Sequence, residues 1–386
     1  MRIVYMSRGL FPYGAAYSSR VMHFAKMLHD MGHQVHVIAE YTLEKTVREG
    51  QVVDLGFCSY QILNCENNLV NRLLINKKRY NGVKEYLDRV QVDYIIINSF
   101  PFDYKKMKQL MQRKRVPYMI EVCEWLDASS FRLGKMDIRY MLNQIALKKR
   151  YIKENKILAI SWYLQRYFTS HKVQCLRIPT ILDLEEHKCN LGIKSDKFKI
   201  MYAGNPGKNK ELLGEILKAI ALLKQEDSHF GEKFCFDIYG INKEQVLLNI
   251  QGDSDLLSSV QDCIQIKGVI DQKLINAIYQ EHNFSIFMRP HRRSSNAGFP
   301  TKLAESLAAG TPVLANKTGD IPYYIGSGKN GFVVENEANE LKKLFHHLVS
   351  MEKEEYCEMR RAARETAEKS FDYKVYERKM EKFINE

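Results

Sequence analysis

GFPTKLAESLAAGTPVLAN, residues 298–316, carries the alternation of a parallel α/β domain in one short run. A Gly/Pro loop leads into a helix over 302–309, Gly310 ends that helix, and an apolar strand follows over 312–315. Pro300 suits a first helical turn and Thr301 a cap, which would leave the amides of Lys302 and Leu303 able to bind an anion. Glu305 follows Thr301 by one turn; a carboxylate there repels phosphate but can accept two hydrogen bonds from a ribose diol. Loop and helix together predict a nucleoside diphosphate site, whereas Glu305 taken singly reads as a solvated helix glutamate.

The same alternation extends both ways. Apolar runs over 198–202, 234–239, 263–267, 284–288 and 331–334 predict strands, separated by helical stretches over 212–223 and 271–279. Earlier, a strand over 2–6, a loop holding Gly14 and Ala15, a helix from about Ser18, Gly32 and a strand over 34–39 form a βαβ unit. Runs over 92–97, 118–122 and 157–160 continue it as buried parallel strands. LRIPTILD, residues 176–183, and the polar run after it read as a linker, giving domains 1–182 and 183–370 with a C-terminal helix, 371–386, returning to the first. The predicted class is α/β, two tandem Rossmann-like doubly wound parallel-sheet domains facing across a cleft. Ligands of such sheets bind beyond the carboxyl ends of the strands.

Composition excludes other classes. The chain has 386 residues, 45% hydrophobic and 27% charged, as in globular proteins. No apolar run nears the roughly 20 residues that span a bilayer. MRIVYM opens directly on a strand with no signal core, so the expectation is a cytoplasmic protein. Eight scattered cysteines form no CxxC or zinc pattern and read as buried thiols. The net charge is +12, and residues 1–190 hold 30 Lys/Arg against 18 Asp/Glu, which accounts for all of it. That imbalance points the first domain toward a polyanion.

GFPTKLAESLAAGTPVLAN with TGDIPYYI and GKNGFVV resembles the donor-site signature of retaining GT-B glycosyltransferases of family 4, of the capsular and surface-polysaccharide type. The likeness reaches MYAGNPGKNKELL, where it implies donor diphosphate contacts from Gly204, Asn205, Lys208 and Lys210, and FPYGAAYSSR, where it implies a glycine loop at Gly14 and Ala15. It implies a nucleotide-sugar donor, UDP-linked, with Pro300, Thr301, Lys302, Leu303 and Glu305 around it, no tightly bound cofactor and no metal. Two positions depart from the family pattern. The carboxylate expected eight residues before Glu305 is replaced by Ala297, and Asn205 stands where an arginine is usual. Arg289, at the end of the 284–288 strand, reads either as a substitute cation or as a rim arginine. Lys210 and Arg289 are then the catalytic candidates that stabilise the leaving group. Glu124 and Glu121, in EVCEWLD, are candidate bases, although a strand-end carboxylate paired with a nearby Lys is at least as good a reading. Asp253-Ser254-Asp255 has metal-binding form but lies in a polar loop.

The basic first domain suggests the acceptor. KKMKQLMQRKR, residues 105–115, sets Met107, Leu110 and Met111 on one helical face among cations, with further patches at 77–79 and 148–153. One reading is a helix on an anionic membrane, placing the protein peripherally on the inner face of the cell membrane with a lipid-linked or oligosaccharide acceptor, as in capsule or lipopolysaccharide assembly. The other is a core stripe with a solvated basic face. Alternatives for the whole chain are a GT-B-shaped UDP-sugar epimerase or hydrolase, an inactive GT-B partner subunit, and a nucleic-acid-binding protein. The last is disfavoured because Tyr80, Tyr86 and Tyr104 recur at core-like spacings.

Overall fold

The computed structural model describes residues 1–63, 69–98, 103–189, 197–207 and 210–386, with side chains of 69–75 excluded. Lys208 and Cys65 lie outside the described residues. The chain divides into two units, Met1–Leu182 with Ala297–Phe299 and Tyr373–Glu386, and Asp183–Asn296 with Pro300–Asp372.

The first unit is built on eight strands: β1 Arg2–Met6, β2 Gln34–Ala39, β3 Val52–Asp54, β4 Ser59–Ile62, β5 Tyr94–Asn98, β6 Tyr118–Val122, β7 Lys156–Ala159 and β8 Gln174–Arg177. Their order in the sheet is β3-β4-β2-β1-β5-β6-β7-β8, parallel except for the β3–β4 pair. The middle strands are apolar because both faces are covered; all five residues of β5 are buried. Helix Ala16–Asp30 sends Val21, Phe24, Ala25 and Leu28 into one core, joined there by Met380, Phe383 and Ile384 of helix Glu377–Asn385. Apart from Ala25, each such side chain contributes about 1.5–3 kcal/mol by leaving water.

Helix Tyr104–Lys114 corrects the membrane reading of 105–115. Met107, Leu110 and Met111 are buried in a core that also holds Val4, Ile95 and Ile97, so the apolar stripe is spent on the sheet. Its polar residues face outward, with Lys105, Lys106, Gln109 and Gln112 exposed. Among the described residues no helix is long and apolar enough to cross a membrane.

The second unit has six parallel strands: β9 Phe198–Ala203, β10 Phe234–Tyr239, β11 Ile264–Gly268, β12 Phe284–Phe287, β13 Val313–Ala315 and β14 Gly331–Val333. Their order is β11-β10-β9-β12-β13-β14. From β9 the chain first builds outward through β10 to β11, then returns to β9's other side with β12. The connections leave β9 and β12 in opposite directions, and this switch opens a crevice at their carboxyl ends. Both units are therefore Rossmann-like, as the apolar runs predicted.

Candidate functional site

At the switch of the second unit, the loop after β9 meets the loop after β12 and the start of helix Thr301–Ala308. Gly204 ends β9 at φ +134° and donates its N–H to the Tyr239 carbonyl at 3.0 Å. A Cβ on Gly204 would come 3.1 Å from Lys302 Nζ, and one on Gly240, at φ +94°, would stand 2.7 Å from the Gly204 carbonyl oxygen. Two glycines are thus needed for the strand ends to close up. Asn205 Oδ1 accepts the Gly207 N–H at 2.9 Å, so this side chain shapes the turn. Lys210 is exposed on the same loop, its N–H donating to Pro206 at 2.9 Å.

Next to Lys210 lies Glu211, which the sequence reading passed over. It is buried, and one carboxylate oxygen accepts the Tyr202 hydroxyl at 2.5 Å and pairs with Lys302 Nζ. Lys302 Nζ also lies 4.3 Å from the centroid of the Tyr202 ring. Burial pushes the Glu211 carboxyl up, but Lys302, the Tyr202 hydroxyl and Lys210 outweigh it and hold it below the usual carboxylate value. Burial pulls the Lys302 ammonium down, with Glu211 opposing and Lys210 and Arg289 adding to the fall. Asn249 pins the loop from below, donating to the carbonyls of Gly207 and Glu211 at 3.1 and 2.9 Å.

Arg289 follows β12 by two positions. Asn316 clamps its backbone, accepting from its N–H at 2.8 Å and donating to its carbonyl at 2.7 Å. The side chain is 5% exposed, yet Nε and Nη1 have no hydrogen-bond partner among the described residues. Burial depresses its pKa while Glu211 and Asp320 oppose, but a guanidinium keeps its charge. A buried cation with idle donors is costly, and such an arrangement is explained when an anion completes it. Lys210, Arg289 and Lys302 thus all act on one carboxylate, Glu211, with Asp320 also acting on Arg289 and Glu305 on Lys302.

The helix start departs from expectation in two ways. Pro300, extended at φ −78° and ψ 109°, is the N-cap, and Thr301 is already helical, so no side chain caps this end. The Leu303 N–H is not open to a ligand, because it donates to the Pro300 carbonyl at 3.1 Å in a tight first turn. Glu305, one turn on, keeps part of its surface; burial holds its carboxyl above the usual value, with Lys302 opposing.

Other candidates fall elsewhere. Asp253 of the DxD triplet caps helix Ser254–Ser259, accepting the Leu256 N–H at 2.9 Å. In the first unit Gly14 adopts φ +105° and Ala15 is the N-cap of helix Ala16–Asp30, which also lacks a side-chain cap. Glu121 is fully buried and accepts from Tyr5, Tyr17 and Arg20 at 2.7 Å each, so it is no base. Arg20, with its other nitrogens on the Ile178 and Pro179 carbonyls, makes that carboxylate a structural anchor. Glu124, three residues on, is exposed.

Comparison with known proteins agrees with this geometry. Residues 183–370 match the family described as Glycosyl transferases group 1. A D-inositol 3-phosphate glycosyltransferase of Streptomyces avermitilis is 26% identical over 152 residues, 38% of this chain and 31% of that enzyme, so the match spans about a third of the relative's length. Among solved structures, sucrose-phosphate synthase from Thermosynechococcus elongatus superposes with a TM-score of 0.76 at 15% identity, covering 100% of this chain and 98% of the other. Anabaena HepE in complex with UDP and glucose gives 0.67 at 14% identity, covering 99% of each. Residues 183–370 thus resemble the glycosyl transferases group 1, and the two Rossmann-like domains of the chain have the GT-B fold.

Proposed function

We propose that the protein transfers a sugar from a nucleotide-sugar donor, a UDP-sugar, with retention of configuration, onto a lipid-linked or surface-polysaccharide precursor. The observation that carries this reading is Arg289, buried with two idle donors beside Lys210 and Lys302. A departing diphosphate develops negative charge, and fixed cations in a poorly solvated crevice stabilise it more than water does. Lys210 and Arg289 take this role. Gly204, Asn205 and Lys208 bring backbone and loop to the phosphates, the uncapped turn at Pro300, Thr301 and Lys302 adds helix-dipole charge, and Glu305 receives the ribose diol.

With cations already at the crevice, the leaving group needs no resident metal, so turnover should survive EDTA. In a retaining transfer the departing phosphate can itself receive the acceptor's proton on the same face. Glu124, exposed at the end of β6, is the carboxylate of its loop open to an acceptor hydroxyl, since Glu121 is occupied by Arg20.

The test is a thermal-shift titration with UDP, GDP, ADP and CMP. A ligand at 100 times its dissociation constant adds about 2.7 kcal/mol of stability. Stabilisation by UDP that Glu305→Ala removes supports the reading. No response to any nucleotide overturns it.

A further inference from the structure

Helix Ile138–Ile145 is turned the opposite way from a helix that covers a core. Its apolar residues Ile138, Met141, Leu142 and Ile145 follow the i, i+3, i+4, i+7 spacing of one stripe, the face that normally packs inward. The residue buried here is Asn143, whose Oδ1 accepts the Leu126 N–H at 3.1 Å. Gln144 beside it accepts from Trp125 Nε1 and donates to the Leu126 carbonyl, both at 3.1 Å. Polar anchors therefore hold the inner side, while Ile138 is 64% and Met141 49% exposed and Leu142 and Ile145 are half-buried. The turn leading in adds Leu133 at 66% and Met136 at 84%.

This segment is well fastened. Asp137 caps the helix through the Arg139 N–H at 2.9 Å and pairs with the Arg139 guanidinium at 2.7 Å. Arg139 lies 5.0 Å from the Phe131 ring centroid. Four large apolar side chains are thus held in water within residues 133–141, and a concentrated exposed patch marks a surface that meets another phase or molecule.

Charge selects the occupant. Residues 131–150 contain six Lys/Arg and one acid, Asp137, which Arg139 already neutralises. Lys135 lies within the apolar run, Arg132 just before it, and Lys148 and Lys149 close behind, all four exposed. Apolar side chains interleaved with cations match the boundary of an anionic bilayer, with acyl chains taking the former and headgroup phosphates the latter.

We propose that Leu133, Met136, Ile138 and Met141 insert into the interfacial layer of an anionic membrane, held there by Arg132, Lys135, Lys148 and Lys149. This deepens the proposed function, on which it rests for the acceptor only, by bringing the protein to where a lipid-borne acceptor resides. It also moves the membrane contact away from helix Tyr104–Lys114.

The experiment is flotation of the full chain with phosphatidylcholine vesicles, with and without phosphatidylglycerol. Binding is expected to the anionic vesicles, and replacing Leu133, Met136, Ile138 and Met141 by Ser should weaken it by about tenfold or more. Lys105→Gln with Lys106→Gln should leave binding within about twofold, since those cations lie on a helix whose apolar face is already buried. Unchanged binding by the four-Ser variant overturns the proposal. So does a wild type that does not bind the anionic vesicles; a dimer that the four-Ser variant fails to form would then assign the patch to a second copy of the chain. The cooperative melting transition of each variant without ligand reports folding, and because neither this nor flotation uses nucleotide, failure of the donor reading is seen separately.

Discussion

Glu211 and Lys302 form a buried ion pair between the loop after β9 and the helix that begins at Thr301, and the carboxylate oxygen that takes Lys302 also takes the Tyr202 hydroxyl. The pair joins the two segments that the donor diphosphate would bridge.

Breaking this pair should be expensive. Glu211→Gln leaves the Lys302 ammonium without its counter-charge, and removing one partner of a buried pair costs roughly 3–5 kcal/mol. The wild type should also show the linkage. Because folding lowers the Glu211 pKa, its contribution is complete above the unfolded value of about 4.3 and is lost as pH falls through the lower folded value. Urea unfolding at neutral pH and below pH 4 compares the two proteins; the variant's penalty should shrink in acid.

Arg289 should behave in the opposite way. Arg289→Met removes a buried charge whose Nε and Nη1 have no partner, so the unliganded variant should be as stable as the wild type, or more so by about 1–3 kcal/mol. UDP affinity should fall by about 10–100-fold, the loss of one charge-assisted contact. Thermal melts with and without UDP measure both. An unfolded Arg289→Met protein would make the arginine structural.

For Glu305, burial raises the folded pKa, so ionisation costs stability as pH rises past the unfolded value. Glu305→Gln should therefore slightly stabilise the unliganded protein at neutral pH. The same change should weaken UDP by about tenfold and abolish discrimination against 2′-deoxy-UDP, because the diol loses its charged acceptor. UDP binding to the wild type should decline in acid from a higher pH than an ordinary carboxylate would cause. Calorimetric titrations across pH test this.

Gly240→Ala should cost about 1–3 kcal/mol, since φ +94° disfavours a side chain and the new Cβ would press on the Gly204 carbonyl 2.7 Å away. The displaced Gly204 backbone should also lower UDP affinity. Denaturation and nucleotide titration of the variant measure the two effects.

The second unit was legible because each strand is a short apolar run bounded by Gly, Pro or polar residues, and β10 spans the residues read from the chain. The hairpin β3–β4 was not, because neither Val52–Asp54 nor Ser59–Ile62 is apolar enough to stand out at a sheet edge. Arg289 was visible as a strand-end cation, but its idle nitrogens were not. Glu211 had no local mark, being one polar residue in KNKELL, and its importance comes from Tyr202 and Lys302, distant in sequence.

Sequence alone determined the α/β class and the Gly/Pro-rich segment at 298–316, since periodicity and turn chemistry act over neighbouring residues. It could not decide which apolar stripe is covered. Met107, Leu110 and Met111 and the stripe through Ile138 and Met141 obey the same helical spacing, yet the first is buried and the second leaves Ile138 and Met141 exposed. The difference lies in the partners: a sheet face receives the first, while Asn143 and Gln144 find hydrogen bonds at Trp125 and Leu126 that turn the second outward. Burial belongs to pairs of surfaces, and only the tertiary structure brings those surfaces together.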